Sequence, residues 1–367
     1  GMGGMGGTGS MDGMAKPCLK KLPTVSGGRQ LAAQTDTGSD LWKRRRSTGD
    51  LQPKLDSTAA WFKGTVSETV DKRHRFVEET YMVAGRLGAG SASTVFRARR
   101  RADGHPVALK TVRSRDIEML RTVKSEYELL QQIKHPHVIK AYGLHEFGVH
   151  DIIVLELFPG QSLEAVVSNA PQGRIEESRV RPLGAALVGA LAYLHEHHIV
   201  HRDVSSGNVL VSDGLDDLRL VDFHVAVRLD SDSEETVPLT PTGTKLYAAP
   251  EVINGCSPLQ LSDVWSAGLC LYFMLSGRLP QGRGRVCDVP LSVAANRKVN
   301  LDARHICHVS ESCKGVLGSV LEISAESRPT AQCLVESSWF REQGDLPEED
   351  KHCEQDLGAR SGRGLTW

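Results

Sequence analysis

Residues 199–211 read Ile-Val-His-Arg-Asp-Val-Ser-Ser-Gly-Asn-Val-Leu-Val, with charged and amide side chains set between two apolar runs. The stretch is too polar to be core and too tightly flanked to be a free loop. It suits a short loop held rigid between packed elements. There Asp203 can accept a proton from, and orient, an attacking hydroxyl. Asn208 supplies an amide oxygen that suits a hard divalent cation. Further on, Leu218-Arg219-Leu220-Val221-Asp222-Phe223-His224 ends an apolar strand with a carboxylate, a good place for a metal ligand. A fold for this chain has to bring these two short segments together.

Upstream, Leu87-Gly88-Ala89-Gly90-Ser91-Ala92-Ser93-Thr94-Val95 follows an expected strand. Glycines let a backbone turn tightly and approach phosphates without a Cβ in the way. Alone, the segment reads equally well as a plain hairpin turn. Val107-Ala108-Leu109-Lys110 comes next, and a lysine on a neighbouring strand can hold phosphates as a point charge. Such a lysine needs an acidic partner to fix its direction, and Glu126 stands on the helix that follows.

Around these motifs the texture changes along the chain. Residues 1–14 are Gly- and Met-rich low complexity, and polarity continues to about residue 70. This region holds Lys43-Arg44-Arg45-Arg46-Ser47, read as a solvated charge run, with a kinase target or nuclear signal as the alternative. It also holds Trp61 and Phe62, which suggest a short docking helix near 58–76. Residues 81–113 alternate as strands, with a turn at Asp103-Gly104. The spacing of Ile117, Leu120, Val123, Tyr127, Leu130 and Ile133 predicts a helix over 116–134. A buried strand is expected over 150–158, helices over 179–198 and 262–277, and a polar, disordered tail after 341. The order is strands with one helix, then mostly helices: an α+β chain in two parts joined near residues 156–160.

Lys and Arg total 44 against 45 Asp and Glu, so nothing electrostatic favours nucleic acid as the partner. No apolar run reaches the length of a membrane helix, and no basic-then-apolar leader opens the chain. The 8 cysteines are scattered without a Cys-x-x-Cys pair, which points to reduced thiols in the cytoplasm, with the nucleus also open. His305, Cys307, His308 and Cys313 lie close in sequence, but their spacing fits no usual zinc pattern.

Taken together, the segments resemble those of eukaryotic protein kinases, in family order, over roughly residues 81–340. The resemblance implies a bilobal kinase fold, with a β-rich N-lobe (81–155) carrying one long helix and a mainly helical C-lobe (161–340). The domain as a whole spans 76–341, between an extension over 1–75 and a tail over 342–367. It implies ATP and Mg²⁺ (or Mn²⁺) as cofactors. Leu87, Gly88, Ala89, Gly90, Val95, Ala108 and Leu210 would surround the nucleotide, with Glu156 and Phe158 offering backbone groups to adenine and Leu155 as gatekeeper. Lys110 would contact the phosphates and pair with Glu126. Asp203 would be the catalytic base, and Asn208 and Asp222 the metal ligands. Glu251, of Ala249-Pro250-Glu251, would pair with Arg328, and Asp263 would brace the catalytic loop. The start, Tyr81 to Gly88, looks like the calcium- and calmodulin-dependent kinase group, although no EF-hand loop follows the domain. The implied partners are protein substrates and an upstream kinase acting on Thr240, with the chain itself a monomer.

Four positions depart from the family pattern. Ser205 stands where serine/threonine kinases carry Lys, removing a cation that would neutralise the transferring phosphoryl group. His224 replaces the Gly after Asp-Phe and should restrict backbone flipping. Ser93 is a mild change in the glycine loop, and Ser162 stands where relatives carry an acidic residue for the ribose. Gly243 to Ala248 resembles the serine/threonine rather than the tyrosine type. The reading is a serine/threonine kinase. A pseudokinase acting as a nucleotide-binding scaffold is the alternative that Ser205 and His224 favour. A small-molecule phosphotransferase fits less well, because Ala249-Pro250-Glu251 and the Asp263 helix build a platform for protein substrates.

Overall fold

A computed structural model describes residues 68–90, 93–114, 116–147, 150–229, 245–257, 259–280 and 297–341. The basic run ending at Ser47, Trp61 and Phe62, Thr240 and the tail after 341 lie outside the described residues.

The first described element is helix α1 (Glu68–Thr80), followed by strands β1 (Tyr81–Ala89), β2 (Ser93–Arg100) and β3 (Pro106–Arg113). Helix α2 (Ile117–Gln132) comes next, its N-terminus capped by the Asp116 carboxylate, which accepts from Glu118 N at 2.9 Å. Strands β4 (Ala141–Glu146) and β5 (His150–Glu156) complete an antiparallel sheet of order β1-β2-β3-β5-β4. The β2–β3 turn falls at Asp103-Gly104, where Arg100 clasps the Asp103 carboxylate at 2.7 Å and 3.0 Å.

Strand β3 is buried from Val107 to Val112 because the sheet is covered on both faces. On one face Ala108, Ile153 and Leu155 pack with Val123 and Leu130 of α2. On the other, Phe96, Ala98, Leu109, Ile152 and Val154 cluster with Val77 of α1 and with Tyr81. In its described part, the helix expected over 58–76 continues to residue 80. Its anchors are Phe76, whose ring lies 4.5 Å from that of His145, and Val77, 2% exposed. The helical register holds until Tyr81 enters the sheet.

The second part begins at β6 (Gly160–Ser162) and helix α3 (Leu163–Asn169), then the 20-residue helix α4 (Glu177–Glu196). Strands β7 (Ile199–Val200), β8 (Val209–Ser212), β9 (Leu218–Leu220) and β10 (Val227–Arg228) follow, with β6-β8-β9 and β10-β7 forming two small sheets. Helices α5 (Pro250–Ile253), α6 (Gln260–Ser276), α7 (Glu311–Val320), α8 (Ala331–Val335) and α9 (Ser338–Arg341) follow among the described residues.

Helix α6 is buried continuously from Ser262 to Leu275, which makes it the central helix of this lobe. It packs closely on α4: a Cβ on Gly184 would lie 2.6 Å from Leu271 Cδ2. The start of α4 is tied down by Glu177, whose carboxylate accepts from Ser310 N and from Trp339 Nε1, each at 2.8 Å. The bilobal α+β architecture is thus the one expected, with the single connection through residues 156–160. No helix among the described residues is long and apolar enough to cross a membrane.

Candidate active site

The site lies where the sheet of the first lobe meets β8, β9 and the loop before β8. Lys110 sits mid-strand in β3, paired across to Val95 and Ile153. Strand alternation puts Ala108 on the same face as Lys110, with Leu155 paired opposite Ala108. Lys110 and Glu126 are 7% and 3% exposed, and Lys110 Nζ donates to Glu126 Oε1 at 2.7 Å and Oε2 at 2.8 Å. The same Nζ donates to Asp222 Oδ1 at 2.7 Å. Burial works against the ammonium, yet Glu126 and Asp222 outweigh it and raise the Lys110 pKa.

Asp222 follows β9 in a left-handed backbone, φ 66°. Burial opposes its ionisation, but the His224 hydrogen bond and the Lys110 charge hold its carboxyl below the usual carboxylate range. The next residue, Phe223, is 1% exposed, and its N–H donates to Glu126 Oε1 at 3.3 Å. Glu126 thus fixes both the lysine and the turn that aims Asp222. His224 Nδ1 lies 2.9 Å from Asp222 Oδ1, a bond that raises the imidazole pKa. Among the described residues, His224 is not one of those with positive φ. The observed turn therefore puts its left-handed backbone on Asp222 and does not call for glycine at 224.

Asn208 Nδ2 donates to Asp203 O at 2.8 Å and to Asp203 Oδ2 at 2.7 Å. These bonds set the amide so that Oδ1 is left as its acceptor. The loop is braced from beneath by Asp263 of α6, 1% exposed, which accepts from His201 N and Arg202 N, each at 2.8 Å. His195 Nε2, from the end of α4, lies 3.1 Å from the same carboxylate. The brace holds Arg202 at φ 69°, another left-handed residue. Ser205 and Ser206 are buried, and an uncharged hydroxyl does not replace the missing cation.

The remaining expected residues are placed as follows. Gly88 pairs with Val95 across the β1–β2 hairpin, and a Cβ on it would meet nothing within 4 Å. Internal packing therefore gives no reason for glycine at 88. Gly90 N donates to Ser93 O at 2.8 Å, while Leu87 and Ala89 are exposed along the same hairpin. Leu210 lies between the buried Val209 and Val211 and faces away from them. Phe158 is buried, and Glu156 ends β5 at the connection between lobes. Ser162 caps α3, accepting from Ala165 N at 3.3 Å. Arg328 grips Glu251 at 2.9 Å and 2.8 Å, with its guanidinium 4.9 Å above the Trp265 ring.

His305, Cys307, His308 and Cys313 do not converge. His305 bonds Tyr272 at 2.6 Å, His308 faces Arg174 at 3.1 Å, and Cys313 is buried in the core. Among the described residues no three His, Cys, Asp or Glu side chains gather to hold a metal ion. The hard-oxygen groups that the site brings together are a carboxylate and an amide, Asp222 and Asn208, donors of the kind that could hold a divalent cation.

Two residues at the joint escaped the sequence reading. Gly160 has Val211 O against it: a Cβ there would lie 2.2 Å from that oxygen. Arg219 of β9 reaches the Glu156 carboxylate. The signal for Gly160 was the Pro-Gly at the lobe boundary; Arg219 reads as an ordinary polar strand residue.

The sheet lobe, the helical lobe and this cluster between them have the layout of a two-lobed kinase domain, and comparison with known proteins agrees. Residues 81–340 match the protein kinase domain model. Serine/threonine-protein kinase 33 of Mus musculus is 28% identical over 274 residues, covering 72% of this chain and 55% of the relative. A carbon catabolite-derepressing protein kinase of Candida tropicalis is 30% identical over 275 residues, covering 73% and 42%. CBL-interacting protein kinase 4 of Oryza sativa subsp. japonica is 29% identical over 271 residues, covering 71% and 58%. The chain belongs to the protein kinase domain family, and it spans about half the length of these relatives.

Proposed function

We propose that this chain transfers the γ-phosphoryl group of ATP to serine or threonine hydroxyls of protein substrates. The observation that carries the reading is the single bridge Glu126–Lys110–Asp222, which ties β3, α2 and the end of β9 together beside the pinned Asp203–Asn208 pair. When bound, ATP with a divalent metal, Mg²⁺ in our reading, supplies the transferable phosphoryl group and the cation that shields its charge. Lys110 is the point charge for the nucleotide phosphates, held in direction by Glu126. Asp222 and Asn208 Oδ1 are the metal ligands. Asp203 orients the substrate hydroxyl and accepts its proton. Leu87, Gly88, Ala89, Gly90, Val95, Ala108 and Leu210 line the nucleotide, with Glu156 and Phe158 at adenine.

The serine/threonine specificity is supported by relatives that carry this class in their names and by the Gly243–Ala248 pattern. The calcium- and calmodulin-dependent group rests on Tyr81–Gly88 alone, and control at Thr240 by an upstream kinase on the sequence alone. A cytoplasmic or nuclear setting rests on the scattered cysteines, and a monomer on the family resemblance alone.

The test is phosphate transfer to a mixed peptide array, wild type beside Asp203→Asn. We expect phosphoserine or phosphothreonine from the wild type and a loss of at least ~100-fold in the variant. Buried Ser205 and the His224 contact to Asp222 favour a second reading, a nucleotide-binding scaffold. Silence of both proteins after treatment with an activating kinase, with ATP binding retained, would establish that scaffold instead.

A further inference from the structure

The joint between the lobes is held by a chain of charges that neither catalysis nor metal binding uses. Arg219 projects from β9, three residues before Asp222. Its Nε donates to Glu156 Oε1 at 3.3 Å, and its guanidinium lies 4.8 Å over the Phe158 ring. On the far side Nη1 donates to both oxygens of Asp217, each at 2.8 Å. Asp217 also lies 3.2 Å from His137 Nδ1, in the segment that leaves α2. The backbones of Glu156 and Lys140 add a bond of 2.8 Å, and Glu156 Oε2 accepts from Lys140 N at 3.3 Å. One guanidinium therefore touches both residues whose main-chain groups face adenine in the proposed function, and Asp217 ties it in turn to the segment after α2.

The arrangement is too enclosed to be an ordinary surface ion pair. The Arg219 side chain is 15% exposed and that of Glu156 18%. Phe158 is 7% exposed, and the chain at Gly160 passes so close to the Val211 carbonyl that a Cβ would not fit there. Arginine alone gives a planar face for the ring and separately directed N–H groups for the two carboxylates at once.

We propose that Arg219 is a positioning residue for the adenine end of the nucleotide. It clamps Glu156 and Phe158 so that their backbone groups present a preformed edge, and binding loses less entropy in ordering that connection. The step that transfers phosphate does not depend on it. This inference rests on the reading of the site as an ATP site.

The test uses the full chain with Arg219→Met, Arg219→Lys and wild type. Adenosine and ADP affinities are measured without divalent metal, steady-state KM and kcat with it, and amide hydrogen exchange of residues 156–160 without ligand. For Arg219→Met we expect adenosine and ADP to weaken by the same factor, about five- to tenfold for a lost charge-assisted contact, with KM for ATP following. The kcat stays within about twofold, and exchange at 156–160 quickens while that of α6 does not. Arg219→Lys recovers part of the affinity, since it keeps the charge but loses the planar face and the separately directed N–H groups. Unchanged adenosine affinity overturns the proposal, as does a fall in kcat at constant KM. Wild type that binds neither ligand overturns the ATP-site reading; exchange then still decides the clamp, and unchanged exchange at 156–160 in Arg219→Met overturns it.

Discussion

Two glycines of this chain have opposite reasons for being glycine, and the difference is measurable. Gly160 lies where the connection enters the second lobe, and an added Cβ would lie 2.2 Å from Val211 O and 2.8 Å from Phe158 Cε1. Backbone cannot yield as a side chain can, so Gly160→Ala should cost about 1–3 kcal/mol. Gly189 sits within α4 with nothing within 4 Å of an added Cβ, so Gly189→Ala should stabilise by roughly 0.5–1 kcal/mol. Urea midpoints of the two variants should move in opposite directions. Sequence alone reached Lys110, Glu126, Asp203, Asn208 and Asp222 because their chemistry tolerates few residue types, and the apolar runs around each one frame it. Glu251 with Arg328, and Asp263 beneath the loop, came through their motifs. Arg219 could not be reached that way. In Leu-Arg-Leu it looks like the solvent-facing residue of an alternating strand, and only the fold turns that face toward Phe158 and Glu156.

At the scale of elements, α1 and the N-lobe sheet bury groups that ordinarily stay wet. His150 opens β5, paired with Arg113 of β3, and is 8% exposed. Burial first, then the charges of Arg73 and Arg113, push its pKa from 6.5 down to about 4. The unfolded chain takes up a proton on this ring below pH 6.5 that the folded chain refuses until about pH 4. Stability contributed by the neutral ring is therefore present above 6.5 and lost as pH falls through that window. His150→Gln should lose less stability than wild type between pH 7.5 and 5, read as the shift of urea midpoint in each. Equal shifts in the two proteins would remove His150 as a contributor. The end of α1 lies four residues beyond the expected one, because the sequence reading placed the helix around Trp61 and Phe62. The side chains that dock in the described structure, Phe76 and Val77, sit among charged residues that mask them. Strands β2, β3 and β5 and helices α2, α4 and α6 carried strong periodic or continuous apolar patterns, and their positions were legible to within a few residues.

At the scale of the molecule, the family match begins at Tyr81, but the hydrophobic cluster on the outer face of the sheet begins with α1. A chain starting at Glu68 keeps that cover. One starting at Tyr81 loses the cover of Phe96, Leu109, Ile152 and Val154, and should melt about 5–10 °C lower. Equal melting temperatures would show that α1 adds nothing to the sheet it lies on. The bonds of the site also differ greatly in the length of chain they close. Asn208 reaches Asp203 across 5 residues, whereas Lys110 reaches Asp222 across 112. Loop closure makes the first contact available early in folding and the second only once both lobes have formed. The bridge from Lys110 to Asp222 is thus a late arrival on the folding route. Weakening it hastens unfolding and leaves the refolding rate nearly untouched, and during renaturation catalytic competence trails the return of helix and sheet.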